Sequence, residues 1–151
     1  MRVCIIATYT TDHVVGGREI HINDLAEGLV KRGHDVTILT TKHLEGPEYK
    51  CVNGVKIMYY NRMKPIVYTS DFFKDFAIFL EEIDMLEGFD IIHSQSPIGL
   101  SYAKYCKKTV PLILTSHGTP LNEIKTILNG RLSIKSFLTI PIWLKLFLLD
   151  E

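Results

Sequence analysis

Three short strings in this chain carry residue types that can hold a polar or charged small molecule. The first is Gly16-Gly17, followed at once by Arg18, Glu19 and His21. Two glycines ahead of a helix leave unpaired amides at the positive end of its dipole, open to phosphate or carboxylate oxygens. The same pair also reads as a tight turn that needs positive φ; its placement favours the ligand role. Neither the Gly-x-Gly-x-x-Gly spacing of dinucleotide sites nor the Gly-Lys-Ser/Thr of a P-loop is present. The second string is His117-Gly118, in which an imidazole can donate to hydroxyls or phosphate oxygens and the glycine leaves room for them. A histidine that only caps the next turn is an equal reading. The third is His93-Ser94-Gln95-Ser96, a polar loop that can line the same crevice, although Ser96-Pro97 also reads as a helix start. There the structural role is preferred and a lining role stays open. Glu19 and His21 fall in the first turn of a helix, where Glu19 complements the dipole with or without a ligand. His13 and His34 read as ordinary loop residues, and His43 as solvent-exposed.

Other chemistries find little support. A Gly-x-Ser-x-Gly elbow, which would arm Ser94 or Ser116 as a nucleophile, is missing. His-Glu-x-x-His spacing is missing too, and the scattered acids form no cation loop, so no metal site and no cofactor are expected. Cys4, Cys51 and Cys106 are odd in number and far apart, which argues against a disulfide framework and suits a reducing, cytoplasmic setting. Lysine plus arginine and aspartate plus glutamate number 17 each, so no basic field draws a nucleic acid. With 46% apolar residues in 151, an ordinary core can be buried.

The elements that must position these residues follow from periodicity. Arg2 to Thr8 is a β-branched run suited to a strand buried on both faces. Ile22, Leu25, Ala26, Leu29 and Val30 mark one helix face, with Lys31 and Arg32 in the last turn and Gly33 as a left-handed stop. Asp35 to Thr41 is the next strand, and a right-handed parallel βαβ unit is the expected product. Asn53-Gly54 predicts a hairpin between Tyr49–Val52 and Val55–Tyr60, whose second arm joins the sheet. A helix from Ser70-Asp71 to Gly88, a strand Phe89–His93, a helix Pro97–Lys108 and a strand Leu112–Ser116 complete the pattern, with a further helix over Leu121–Leu128. This is a doubly wound α/β order, whose ligands bind beyond the carboxyl ends of the strands. Gly16-Gly17, His93 and His117 all fall at such ends, with His117 expected across the crevice from the glycines. The apolar run Ile134–Leu149 is too short, and too interrupted by Lys135, Pro141 and Lys145, to span a membrane.

With these pieces placed, the chain resembles the amino-terminal half of the retaining glycosyltransferase family 4. The string Gly16-Gly17-Arg18-Glu19-Ile20-His21 is similar to that family's Gly-Gly-x-Glu-x-His. It continues through Leu25-Ala26 to Arg32-Gly33-His34-Asp35-Val36, where Asp35 replaces the usual Glu. Asp90-Ile91-Ile92-His93-Ser94-Gln95 resembles Asp-Val-Val-His-x-His, with Gln95 at the second His. Pro111 to Gly118 resembles Pro-Val-Val-x-Thr-x-His-Gly. The likeness covers roughly Met1 to Thr119.

The resemblance implies a GT-B fold of two Rossmann-like domains, with this one on the acceptor side. It implies transfer of a sugar from a nucleotide-sugar to a sugar or lipid acceptor, with retention and usually without a metal. Gly16 and Gly17 would approach the donor diphosphate or an acceptor anion, with His21, His93 and Gly118 nearby, and His117 would contact the transferred sugar as the catalytic residue. By the same resemblance, the sequence ends before the Arg/Lys pair and the Glu-x7-Glu motif that the family carries in its second domain. The expected division is therefore a Rossmann-like domain over 1–130 and an apolar helical tail over 131–151, with the donor-binding domain absent or supplied as a separate subunit. The chain would then be an excised domain, a truncated gene product or a split subunit, inactive alone. A non-catalytic binding module left by truncation is the alternative. The tail is expected to pack on the sheet edge or form a homo-oligomer, with peripheral membrane contact the alternative.

Overall fold

An apolar run makes Arg2–Ile6 strand β1, with four of its five residues buried. The chain then forms helix α1 (Gly17–Lys31), strand β2 (Asp35–Thr41), the arms β3 (Tyr49–Val52) and β4 (Val55–Tyr60), and helix α2 (Ser70–Glu87). Strand β5 (Ile91–Ser94), helix α3 (Gly99–Tyr105) and strand β6 (Leu112–Leu114) follow. The computed structural model describes residues 1–43, 45–62, 70–106 and 110–117. By contacts the chain divides into two units, Met1–Thr115 and Ser116–Glu151. Gly118, the predicted helix Leu121–Leu128 and the apolar run Ile134–Leu149 lie outside the described residues.

The described strands form one sheet in the order β3-β4-β2-β1-β5-β6. All neighbours are parallel except β3 and β4, the antiparallel hairpin. Asn53 (φ 52°) and Gly54 (φ 82°) both take the left-handed conformation that its two-residue turn requires. Gly33 (φ 82°) ends α1 in the same way. From β1 the chain builds outward to β2 and β4, then returns to lay β5 on the other side of β1. The strand order thus reverses between β1 and β5, the switch point at which open α/β sheets form their crevice.

Helices cover both faces. Alternate residues Val3, Ile5, Ala7, Val36, Ile38, Val55, Ile57 and Tyr59 form one buried cluster with Ile22 and Ala26 of α1. The opposite face belongs to α2 and α3: Tyr60, one residue out of phase with Tyr59, stacks on Phe79 of α2 at 4.4 Å. Phe76, Leu80, Ile6, Leu39, Ile92 and Ile98 are fully buried. Doubly wound α/β architecture is therefore the fold.

Some ends fall short of expectation. The helix expected over Pro97–Lys108 spans only Gly99–Tyr105, because Cys106 is extended (φ −93°, ψ 142°). Strand β6 stops at Leu114 rather than Ser116. Its partner β5 ends at Ser94, so after Thr115 N–H donates to Ser94 O (2.8 Å) no ladder remains to follow.

At the amino ends of the strands, Lys56 Nζ bridges Glu87 Oε2 (3.1 Å) and Asp35 Oδ2 (3.2 Å). The bonds to Glu87, and after burial's opposing effect to Asp35, raise the lysine above its ordinary value of 10.5. A raised folded-state value stabilises fully below pH 10.5 and is lost as pH rises through the folded value. We expect Lys56→Met to cost about 0.2–1 kcal/mol at neutral pH, the range of partly exposed pairs. The gap from wild type should close above pH 10.5. Urea melts at pH 7 and pH 11.5 check this; a gap equal at both would remove the ion pairs as its cause.

Candidate functional site

The carboxyl ends of β1 and β5 flank the switch point. Gln95 N–H donates to Ile6 O (2.8 Å), so the loop after β5 starts beside the end of β1. The loop after β1 runs from Ala7 to Gly16 and enters α1, with Gly16 as the N-cap.

The two glycines prove unlike each other. Gly16 is extended (φ −145°, ψ 171°), and neither glycine has positive φ, which removes the turn reading of this pair. A Cβ at Gly16 would lie 2.6 Å from Glu19 Oε2, so a side chain there would displace the end of that carboxylate. The Glu19 carboxylate is only 5% exposed and folds back over the helix start from the third helical position, as a capping acid does. Its other oxygen takes Arg18 Nε (3.0 Å) and Nη2 (2.9 Å). Arg18 in turn lies 5.9 Å from the centre of the Tyr9 ring. Gly17 is different, since a Cβ there would meet nothing within 4 Å. Gly16 thus answers to the carboxylate inside the fold, and Gly17 opens outward. His21, one turn further along α1, is exposed.

Across the switch point, half-buried His93 has Nε2 at 2.8 Å from Thr115 Oγ1 and 3.0 Å from Gln95 Nε2. This network ties the ends of β5 and β6 together. Ser94 is fully buried and its Oγ donates to Ser96 O (2.6 Å). Gln95 and Ser96 are buried too, and Ser96 Oγ has no hydrogen-bond partner. The loop's polar groups are therefore mostly turned inward, as the structural reading of His93-Ser96 requires. His117 is exposed and follows β6 by three residues. Among the described residues no group of three His, Cys, Asp or Glu can hold a metal ion. No helix among them is long and apolar enough to cross a membrane.

Sequence reasoning missed a second polar cluster, at the carboxyl ends of β2 and β4. His43, expected to be solvent-exposed, is half-buried and sits edge-on to Tyr59 at 5.2 Å. His13 is no ordinary loop residue: its ring lies 5.8 Å from Tyr59 and 5.9 Å from Tyr9. Asp12 accepts the Tyr59 hydroxyl and pairs with Lys50 Nζ at 2.6 Å. Burial would raise the Asp12 carboxyl, but its bonds from Lys50 and Tyr59 outweigh that and hold it below the ordinary value of 3.8. Burial, then the Asp12 carboxylate, pushes the Tyr59 hydroxyl well above the usual tyrosine range, so it remains a donor. Residues 12, 50 and 59 share no local motif; only the order β3-β4-β2-β1 brings them together.

Comparison with known proteins adds to this geometry. The family model described as Glycosyltransferase Family 4 matches residues 15–148. An uncharacterized glycosyltransferase, MJ1607 of Methanocaldococcus jannaschii, is 30% identical over 134 residues, covering 82% of this chain. The match spans 32% of that protein's length. Sucrose-phosphate synthase from Thermosynechococcus elongatus superposes with a TM-score of 0.68 at 14% identity, over 86% of this chain and 36% of that one. A second structure of that synthase gives a TM-score of 0.58 at 13% identity, over 86% of this chain and 73% of that one. At such identities the two structures speak for the fold alone.

Proposed function

This chain belongs to glycosyltransferase family 4, and from that premise we propose that it is the acceptor-side part of a retaining enzyme that moves a sugar from a nucleotide-sugar to a sugar or lipid acceptor. The observation that carries the reading is the open space over Gly17 at the head of α1, beside the β1/β5 switch point. Backbone amides at a helix start suit the phosphate oxygens of a donor or an anionic acceptor. His117, with Gly118, is proposed to touch the transferred sugar, and His93 to hold the crevice wall. In this reading the grip on the nucleotide belongs to sequence of the kind that makes up the other two thirds of the relative's length.

The test uses both this 151-residue chain and a protein extended to the relative's full length, each offered a panel of nucleotide-sugars. The extended protein should transfer sugar and the anomeric NMR signals should show retention. The short chain should transfer none. Robust turnover by the short chain overturns the half-site reading, and a folded extended protein with no turnover leaves the binding-module alternative.

Gly17→Val separates ligand from fold. The backbone at Gly17 is helical and the added side chain meets open space, so the thermal melt should move little, within about 0.5 kcal/mol. Calorimetric affinity for a nucleoside diphosphate, or for inorganic phosphate, should fall by about tenfold or more as bulk covers the amides. Equal affinity in the folded variant would make Gly17 a plain helix residue.

The apolar run Ile134–Leu149 is proposed to bury itself against a second copy of the chain. Light scattering should then give a dimer for the whole chain and a monomer for a version ending at Gly130. Binding of the whole chain to anionic vesicles in place of self-association would assign the run to a membrane surface instead.

A further inference from the structure

The loop between β1 and α1 is held from the side of the sheet away from the switch point. Thr8 O accepts Thr41 Oγ1 at 2.7 Å and Thr40 Oγ1 at 3.3 Å. His13 then makes a two-sided anchor. Its Nδ1 accepts the Thr10 N–H at 3.1 Å, so that nitrogen carries no proton. Its Nε2 faces two carbonyls, Thr41 O (3.2 Å) and Lys42 O (3.1 Å), which can only accept, so the proton sits there. The third anchor is Asp12, which takes Lys50 from β3 and Tyr59 from β4. Both arms of the edge hairpin thus pass the end of β2 to reach one loop. That loop ends at Gly16 and Gly17.

We propose that Asp12, His13, Lys50 and Tyr59 are positioning residues, a latch by which the edge hairpin sets the Thr8–Gly16 loop and thereby the Gly16–Gly17 helix start. The inference rests on the reading of Gly17 as ligand-facing, and it adds a reason for the hairpin. Strand β3 is a largely exposed edge strand that contributes none of the large buried core side chains. Its Lys50 ammonium spends its ion pair on a residue thirty-eight positions away rather than on a strand neighbour. Binding groups must be held within a fraction of an ångström, and loops reach that only when their neighbours lock them.

The experiment is carried out first on the whole 151-residue chain. Long-range proton–nitrogen NMR should show His13 as the neutral Nε2–H tautomer. Lys50→Met and Tyr59→Phe should each speed amide exchange across Thr10–Gly17 about tenfold, the usual worth of one charge-assisted bond. Exchange at Ile5 and Ile38 should stay unchanged, and Lys50→Arg should restore the loop. Unchanged exchange in the loop, or exchange that rises equally in the core, overturns the latch.

The second arm uses the extended protein. Lys50→Met should raise about tenfold the KM of whichever substrate Gly17→Val weakens, with kcat within about twofold, and Lys50→Arg should recover it. If Gly17→Val leaves both KM values alone, the ligand reading of the helix start has failed. If Gly17→Val raises a KM and Lys50→Met does not, the latch alone has failed.

Discussion

His117→Ala in the extended enzyme is expected to lower turnover by about 10²-fold, the loss typical when one preorganised polar donor is removed from a developing charge. Thr115 is pinned through its N–H to Ser94 O (2.8 Å) and through its hydroxyl to His93 Nε2 (2.8 Å). The backbone therefore leaves β6 from a point fixed by two bonds to the neighbouring strand, and His117 comes two residues later. The exposed imidazole should matter little to folding, so the melt of His117→Ala should stay within about 0.5 kcal/mol of wild type. His117→Gln, which keeps a donor, should recover part of the rate. Full turnover by a folded His117→Ala would return the residue to the reading in which it caps a turn.

The largest stability effect is expected at Phe76. Its side chain is fully buried on α2 and stands edge-to-face with Phe79 at 6.0 Å, while Phe79 stacks on Tyr60 of β4. Phe76→Ala should cost about 3–5 kcal/mol, through lost transfer energy and the cavity left behind. A domain of this size has about 5–15 kcal/mol in total, so the variant should sit near the edge of folding. Phe76→Leu, which keeps most of the volume, should cost less than about 1.5 kcal/mol. Urea titration measures both, and an unchanged slope would show that the denatured state is not the cause. A loss under about 1 kcal/mol for Phe76→Ala would mean that α2 is not docked through this ring.

Much of the scaffold follows from local rules. Ile22 and Ala26 at helical spacing, the β-branched run of β1, Asn53-Gly54 at the hairpin and Gly33 at the helix end each act over a few residues. Periodicity and turn chemistry act at that range, so these elements, the parallel βαβ unit and the family could be read from the chain directly. The placement of Gly16-Gly17, ahead of a helix and after a strand, was legible for the same reason.

What the tertiary structure alone decided concerns partners distant in sequence. Whether Gly16 is glycine for its φ or for its neighbour depends on where the Glu19 carboxylate turns, and it turns back over the helix start. Helix α3 stops at Tyr105 because Cys106 turns extended, and β6 stops at Leu114 because strands end where their neighbours do, which propensity does not record. The cluster of Asp12, His13, Lys50 and Tyr59 needs the strand order β3-β4-β2-β1. Hydrophobic pattern tells each strand which faces to bury, but not which strand will lie beside it. Side chains that meet only across that choice, such as His43 against Tyr59, therefore carry no mark in the sequence.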